Sequence, residues 1–157
     1  MKPNLFLLAL PLLAACSDQR ASYEIDGNKH VLSLVRVTGF PWEKTAKYTI
    51  VPTRMPDCMR RHDLPNASLN ARFEVYSAGD NAWALRQRDR IFVTETRTCE
   101  GFAPLAQIPE TGLGTLVGVF EMRNGSLVFT PAVIPPTSPS SSAPLNQSVD
   151  SGERVSP

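Results

Sequence analysis

The sequence predicts an all-β fold, a small antiparallel sandwich or barrel-like meander with a disordered C-terminal tail. Three observations predict it. Between residues 23 and 100, short runs of β-branched and aromatic residues alternate with polar ones and are separated by Gly, Asn and Asp turns. Residues 115–130 repeat that pattern about Asn124-Gly125. Beyond the first residues no segment keeps a 3.6-residue apolar period, so helix is expected at most as one turn near Pro56 to His62.

Taken in chain order, the first element is a leader, residues 1–15. Every residue from Leu5 to Ala15 is apolar or proline, Lys2 precedes them, and Ser17, Asp18, Gln19 and Arg20 follow. A helix needs about 20 apolar residues to cross a bilayer, so this stretch, interrupted by Pro11, reads as the apolar region of a signal peptide. No Ala-x-Ala cleavage site occurs before Ser17. What does occur is Leu13-Ala14-Ala15-Cys16, which resembles the lipobox of bacterial lipoproteins. The resemblance implies a diacylglycerol on the Cys16 thiol, cleavage just before it and, usually, a further acyl chain on the new amine. Two or three chains hold a protein firmly where one binds only marginally. In the sorting rule of enteric lipoproteins an Asp directly after the cysteine retains the protein at the inner membrane. Ser17 stands there instead, so the resemblance implies the outer membrane, facing the periplasm.

Residues 16–22 are then expected as a tether and residues 23–100 as a β domain. Tyr23 to Ile25 and His30 to Val37 flank the hairpin turn Asp26-Gly27-Asn28. In residues 45–51, Ala46, Tyr48 and Ile50 share one face and Thr45, Lys47, Thr49 and Val51 the other. Phe73 and Val75, then Trp83 and Leu85, then Ile91 and Val93 read as a three-stranded meander turning at Gly79-Asp80-Asn81 and Arg88-Asp89. In an exported chain the two remaining cysteines, Cys58 and Cys99, read as a disulfide. It closes a loop of about 42 residues, for which the chain-entropy estimate is roughly 4 kcal/mol.

Residues 101–114, with two prolines and three glycines, read as a linker or irregular arm. Residues 115–130 are expected as a β-hairpin packed on the domain, with Met122 opposite Leu127 and Phe120 opposite Phe129 on its apolar face. Residues 131–157 hold 6 Pro and 7 Ser in 27 residues and no aromatic. Such a segment cannot bury enough surface to offset its ordering entropy, so a disordered tail is expected.

Composition narrows the function. The chain has 16 Lys and Arg against 15 Asp and Glu. With Lys2 lost in the leader the mature chain is balanced, which gives no field to draw nucleic acid. The two histidines, His30 and His62, and the lack of any hydrolase, phosphate-loop or zinc motif leave an enzyme without materials, and no cofactor, catalytic residue or metal ligand is assigned. The dense polar cluster is Asp57, Cys58, Arg60, Arg61, His62 and Asp63. Three readings compete for it: a disulfide-pinned surface turn with solvated charges, a contact in which Arg60, Arg61 and His62 meet a partner or anion, and a soft metal site of Met55, Cys58, Met59 and His62, which needs Cys58 reduced. Arg86, Arg88 and Arg90 form a second basic group, read as a hairpin tip kept soluble by charge.

The segments MPDCMRRHDL and FVTETRTC are similar to those of uncharacterised small envelope lipoproteins of proteobacteria, a resemblance that implies no activity. Lipoprotein lysozyme inhibitors are similar in architecture alone. The expectation is a lipid-anchored, non-catalytic binding or assembly module touching the membrane through its lipid and an envelope protein or glycan through its surface. The alternative is a ligand binder or inhibitor of an envelope hydrolase.

Overall fold

The structure is a computed structural model in which residues 17–133 are described. They form two antiparallel sheets in a sandwich, with no helix among the described residues. The first sheet contains β1 (Ser17–Glu24), β2 (His30–Thr38), β3 (Thr45–Arg54), the short β4 (Cys58–Met59) and β5 (His62–Ser68). Its order is β1-β2-β3, after which β4 and β5 pair side by side along the far edge of β3. The second contains β6 (Phe73–Gly79), β7 (Ala82–Gln87), β8 (Arg90–Glu95), β9 (Phe102–Leu105), β10 (Thr115–Arg123) and β11 (Ser126–Pro131), ordered β11-β10-β6-β7-β8-β9.

Alternation along the strands places one side-chain set between the sheets. Leu32, Leu34, Ala46, Tyr48, Ile50 and Leu64 from the first sheet meet Phe73, Val75, Trp83, Leu85, Phe92, Phe120 and Leu127 from the second. The aromatic members meet at tilted or edge-on angles, Tyr48 with Phe73 at 5.0 Å and Phe120 with Phe129 at 4.9 Å between ring centroids. Such geometry sets ring edges against ring faces. A smaller cluster lies on the outer face of the second sheet, where Leu113 covers Ala84 and Ile91.

The hairpin forms in the expected register, Met122 opposite Leu127 and Phe120 opposite Phe129. Its turn is carried by Asn124 and Gly125, both at positive φ, as a two-residue turn between right-twisted strands requires. The expected meander is β6-β7-β8, and β10 joins it directly through β6, so the hairpin is part of the main sheet.

Three expectations are corrected. Residues 16–22 are no tether from Ser17 onward, because β1 begins there and pairs along β2 from Ser17 opposite Thr38 to Glu24 opposite Val31. The turn of helix near Pro56 to His62 is replaced by β4 and the start of β5. β5 was hidden by Pro65 and Asn66, which fit because the strand lies at an edge and bulges: Leu64 and Ala67 oppose Tyr48 and Ala46, leaving two residues against Lys47. The segment 101–114 is not wholly irregular, since β9 occupies Phe102–Leu105 with Pro104 on another edge strand. In the outward set on β3, Thr49 and Val51 are buried. The leader, Cys16 and the tail from residue 134 lie outside the described residues.

Phe120 is fully buried between the sheets. Phe120→Ala is expected to cost about 3–5 kcal/mol. The check is the urea midpoint, which should fall with little change in slope.

Candidate functional site

The sandwich has two unlike ends. At one, the disulfide end, the sheets are fastened together. Cys58 and Cys99 are bonded, with Cα atoms 5.8 Å apart. The His62 Nε2–H donates to the Cys99 carbonyl at 2.8 Å, and its ring stacks on Phe102 at 4.9 Å. Arg60 meets Glu100 at 2.7 Å, an exposed pair of modest worth. On the same side of the fold, Glu95 ties down the turn that carries Cys99. Although its partial burial works the other way, the Thr98 hydroxyl and the N–H groups of Thr98, Gly101 and Arg97 hold its carboxyl down at about 2.

His30 belongs to this fastening too. Its Nε2 lies 2.8 Å from the Thr96 hydroxyl, which also accepts the Trp83 indole N–H at 3.2 Å and donates to the Asn81 carbonyl at 3.4 Å. Burial, helped by the Arg54 charge, lowers the pKa of His30, opposed by Asp26. Both histidines are therefore engaged in holding the two sheets to each other.

The cluster expected at Arg60, Arg61 and His62 is thus divided. Arg60 and His62 reach across to the 99–102 segment, while Arg61 lines a separate cleft of about 400 Å³ with Lys47, Thr49, Asp63 and Asn66. In that cleft Asp63 accepts the Thr49 hydroxyl at 2.9 Å. The disulfide uses the Cys58 sulfur, so the thiolate on which the soft-metal alternative depends is not free. Among the described residues no three His, Cys, Asp or Glu side chains are grouped to hold a metal ion.

At the opposite end, the Ser17 end, the register brings together the start of β1, the β2-β3 connection, residues 69–72 and the β7-β8 and β10-β11 turns. Gln19 closes the sheets here: its Nε2 donates to the Gly125 carbonyl at 3.0 Å and its Oε1 accepts the Leu127 N–H at 3.0 Å. Just inside, Arg36 is buried and its Nε donates to the Leu69 carbonyl at 3.1 Å. The hydroxyl of Tyr48, its cross-strand neighbour, donates to Ser68 and Leu69 carbonyls, and burial pushes the phenol pKa up despite the guanidinium.

Two features open outward from this end. A cleft of about 340 Å³ is lined by Ser68, Asn70, Arg72, Glu74, Arg86 and Arg88 among others. Arg86 Nε donates to the Arg88 carbonyl, while Glu74 accepts the Tyr76 hydroxyl at 2.8 Å. Arg72 sits 3.9 Å from Glu121, whose acid is held down chiefly by the Thr130 hydroxyl and then by Arg123. Three arginines therefore line one cleft whose lining holds a single carboxylate, Glu74, with Glu121 paired to Arg72 beside it. This is the chemistry of an anion site.

The second feature is an aromatic tip. Phe40 and Trp42, in the β2-β3 connection, stack with centroids 4.9 Å apart and planes 7° apart, yet are 55 % and 75 % exposed. The tip is braced from within: the Gly39 N–H donates to Glu43 Oε2 at 3.0 Å and the Glu43 N–H to the Phe40 carbonyl at 3.1 Å. Neither the arginine cleft as a site nor this tip was assigned from sequence. The available signal for the tip was Gly39-Phe40-Pro41-Trp42, two large aromatics in a segment where turn chemistry needs none.

No protein-family model, curated protein or solved structure matches the chain.

Glu95 gives a pH test of the fastening. Its folded pKa lies below the ordinary 4.5, so the stability it contributes is fully present above that value and lost as pH falls through about 2. Glu95→Gln should therefore unfold at lower denaturant than wild type at pH 7. The gap should shrink below pH 4.5 and close near pH 2, as read from urea titrations across that range.

Proposed function

We propose that the chain is a lipid-anchored envelope lipoprotein, held by Cys16 at the periplasmic face of the outer membrane, whose sandwich is a non-catalytic recognition module. Its recognition surface is the arginine cleft of the Ser17 end, and the ligand is an anionic group, phosphate or carboxylate, of the envelope. One observation carries this: Arg72, Arg86 and Arg88 line a single open cleft with one acid in its lining, Glu74, while Arg72 also lies 3.9 Å from Glu121. Planar guanidinium groups suit oxyanions because each offers paired donors in a fixed fork.

The placement supports the anchored reading. A folded strand starts at Ser17, one residue after Cys16, so an acylated cysteine leaves no slack between lipid and domain. The cleft lies at that same end, at the level where headgroup phosphates and membrane-proximal glycans are found. A second reading, an inhibitor or ligand binder acting on an envelope hydrolase, draws on the protruding Phe40 and Trp42, which resemble a rigid insertion loop in shape.

The test uses the full chain with Cys16→Ala behind a cleavable soluble leader, titrated by calorimetry with inorganic phosphate, with soluble muropeptides and with vesicles rich in phosphatidylglycerol. Binding to one of these is expected to weaken as salt rises. Arg86→Ala and Arg88→Ala should each reduce it about tenfold or more, the value of one charge-assisted hydrogen bond. Phosphate or vesicle binding assigns a phosphate, and muropeptide binding a carboxylate. Binding to none, or binding indifferent to both substitutions, contradicts the cleft as the site.

A further inference from the structure

We propose that the Phe40–Trp42 stack is a second membrane contact, which enters the interface beside the acylated cysteine and fixes the tilt of the domain on the bilayer. The inference rests on the reading that Cys16 carries acyl chains, and it adds a surface which that reading does not contain.

Register carries the argument. Ser17 pairs with Thr38, so β1 begins where β2 ends. One residue before Ser17 is Cys16, and two residues after Thr38 is Phe40. Adjacent strands lie about 4.8 Å apart. Ser17, the residue that follows Cys16 in the chain, and the aromatic tip are therefore neighbours at one rim of one sheet, separated by little more than a strand spacing and a tight loop. A bilayer that receives the lipid of Cys16 receives the tip with it.

The chemistry of the tip suits that occupant. Two rings lie face to face and shield each other only on the inner faces, leaving Trp42 three-quarters exposed. In water such a surface is unfavourable, and an indole at headgroup depth buries its ring while keeping its N–H wet. The loop resists being flattened into the sheet, because Pro41 fixes one φ and Glu43 closes the loop with two hydrogen bonds. Charge at this rim is mixed: Glu43 accepts the Gly39 N–H but is itself exposed, as are Lys44 beside the tip and Asp18 beside Ser17. Arg88, Arg90 and Arg123 stand at the turns of the same end, against Asp89 and a Glu121 that is paired with Arg123. Cations on flexible stems at a membrane-facing rim reach phosphates.

The opposite end exposes Met55 and Met59, at 51 % and 61 %, but neither is an aromatic ring of the kind that seats at headgroup depth. The described chain leaves β11 at Pro131, opposite Gly118, at the disulfide side of the sandwich. Residues after it therefore start away from the rim that holds Ser17. A domain anchored at Cys16 and seated on Phe40 and Trp42 directs the disulfide end, and Pro131 with it, outward.

The two tryptophans make the test direct, since Trp42 is 75 % exposed and Trp83 only 5 %. The full chain, acylated in its own envelope and checked by mass spectrometry, is reconstituted into phosphatidylethanolamine and phosphatidylglycerol vesicles with or without bromine on the upper acyl carbons. Emission should shift to the blue relative to the Cys16→Ser chain in buffer, and brominated lipid should quench a component that Trp42→Phe removes entirely. Acylated protein whose Trp42 stays open to aqueous acrylamide and blind to bromine overturns the tip and leaves the anchor standing. A Cys16 without acyl chains overturns the anchor, and the tip falls with it. Emission that responds to soluble muropeptides but not to brominated lipid gives the tip to a glycan and overturns the inference.

Discussion

The two sheets share a single interior, and neither can bury its apolar face alone. Everything else in the molecule follows from how that shared interior is closed at its sides. Along one side Gln19 bridges β1 to the β10-β11 turn through backbone groups that would otherwise be unpaired sheet edge. Along the other, the Cys58–Cys99 bond, the His62 hydrogen bond and the His62–Phe102 stack join β4 and β5 to the 99–102 segment. Edge strands are thereby covered or fastened, and the core aromatics keep their partners. The same closure explains why the polar cluster that looks most reactive in the sequence is occupied: its histidine and one of its arginines complete the fastening.

Legibility in the sequence followed local physics. The β10-β11 hairpin was readable to the residue because Asn124-Gly125 dictates a two-residue turn, and period-two alternation then fixes every pair. The meander and the disulfide were readable for similar reasons, one from alternation and turns, the other from the even number of cysteines left after Cys16. β5 and β9 were not, because Pro65, Asn66 and Pro104 are poor strand formers that only an edge position and a bulge permit, and edge status is a tertiary fact. The arginine cleft was half legible. Arg86 and Arg88 stood out as a basic turn, but Arg72, Ser68 and Asn70 reach the same place only through the crossing from β5 to β6.

The aromatic tip was hidden for a different reason. Apolar residues in a sequence are credited to the core, and Phe40 and Trp42 are large enough to have belonged there. Only the fold shows that the core is filled without them by Tyr48, Phe73, Trp83 and Phe120. What remains is a sandwich with a division of labour between its ends. The disulfide end is spent on internal fastening, while the Ser17 end gathers an arginine cleft, an exposed aromatic pair and the start of the strand that follows Cys16.

The central claim is that this second end faces the membrane. Hydrogen exchange read by mass spectrometry, comparing the acylated chain in vesicles with the Cys16→Ser chain in buffer, tests it most directly. The account predicts slowed exchange in the loops 39–44, 69–72, 88–89 and 124–125, with 26–29, 80–81 and 96–101 unchanged. Protection confined to the disulfide-end loops, or none at either end in protein confirmed to carry its lipid, would contradict it.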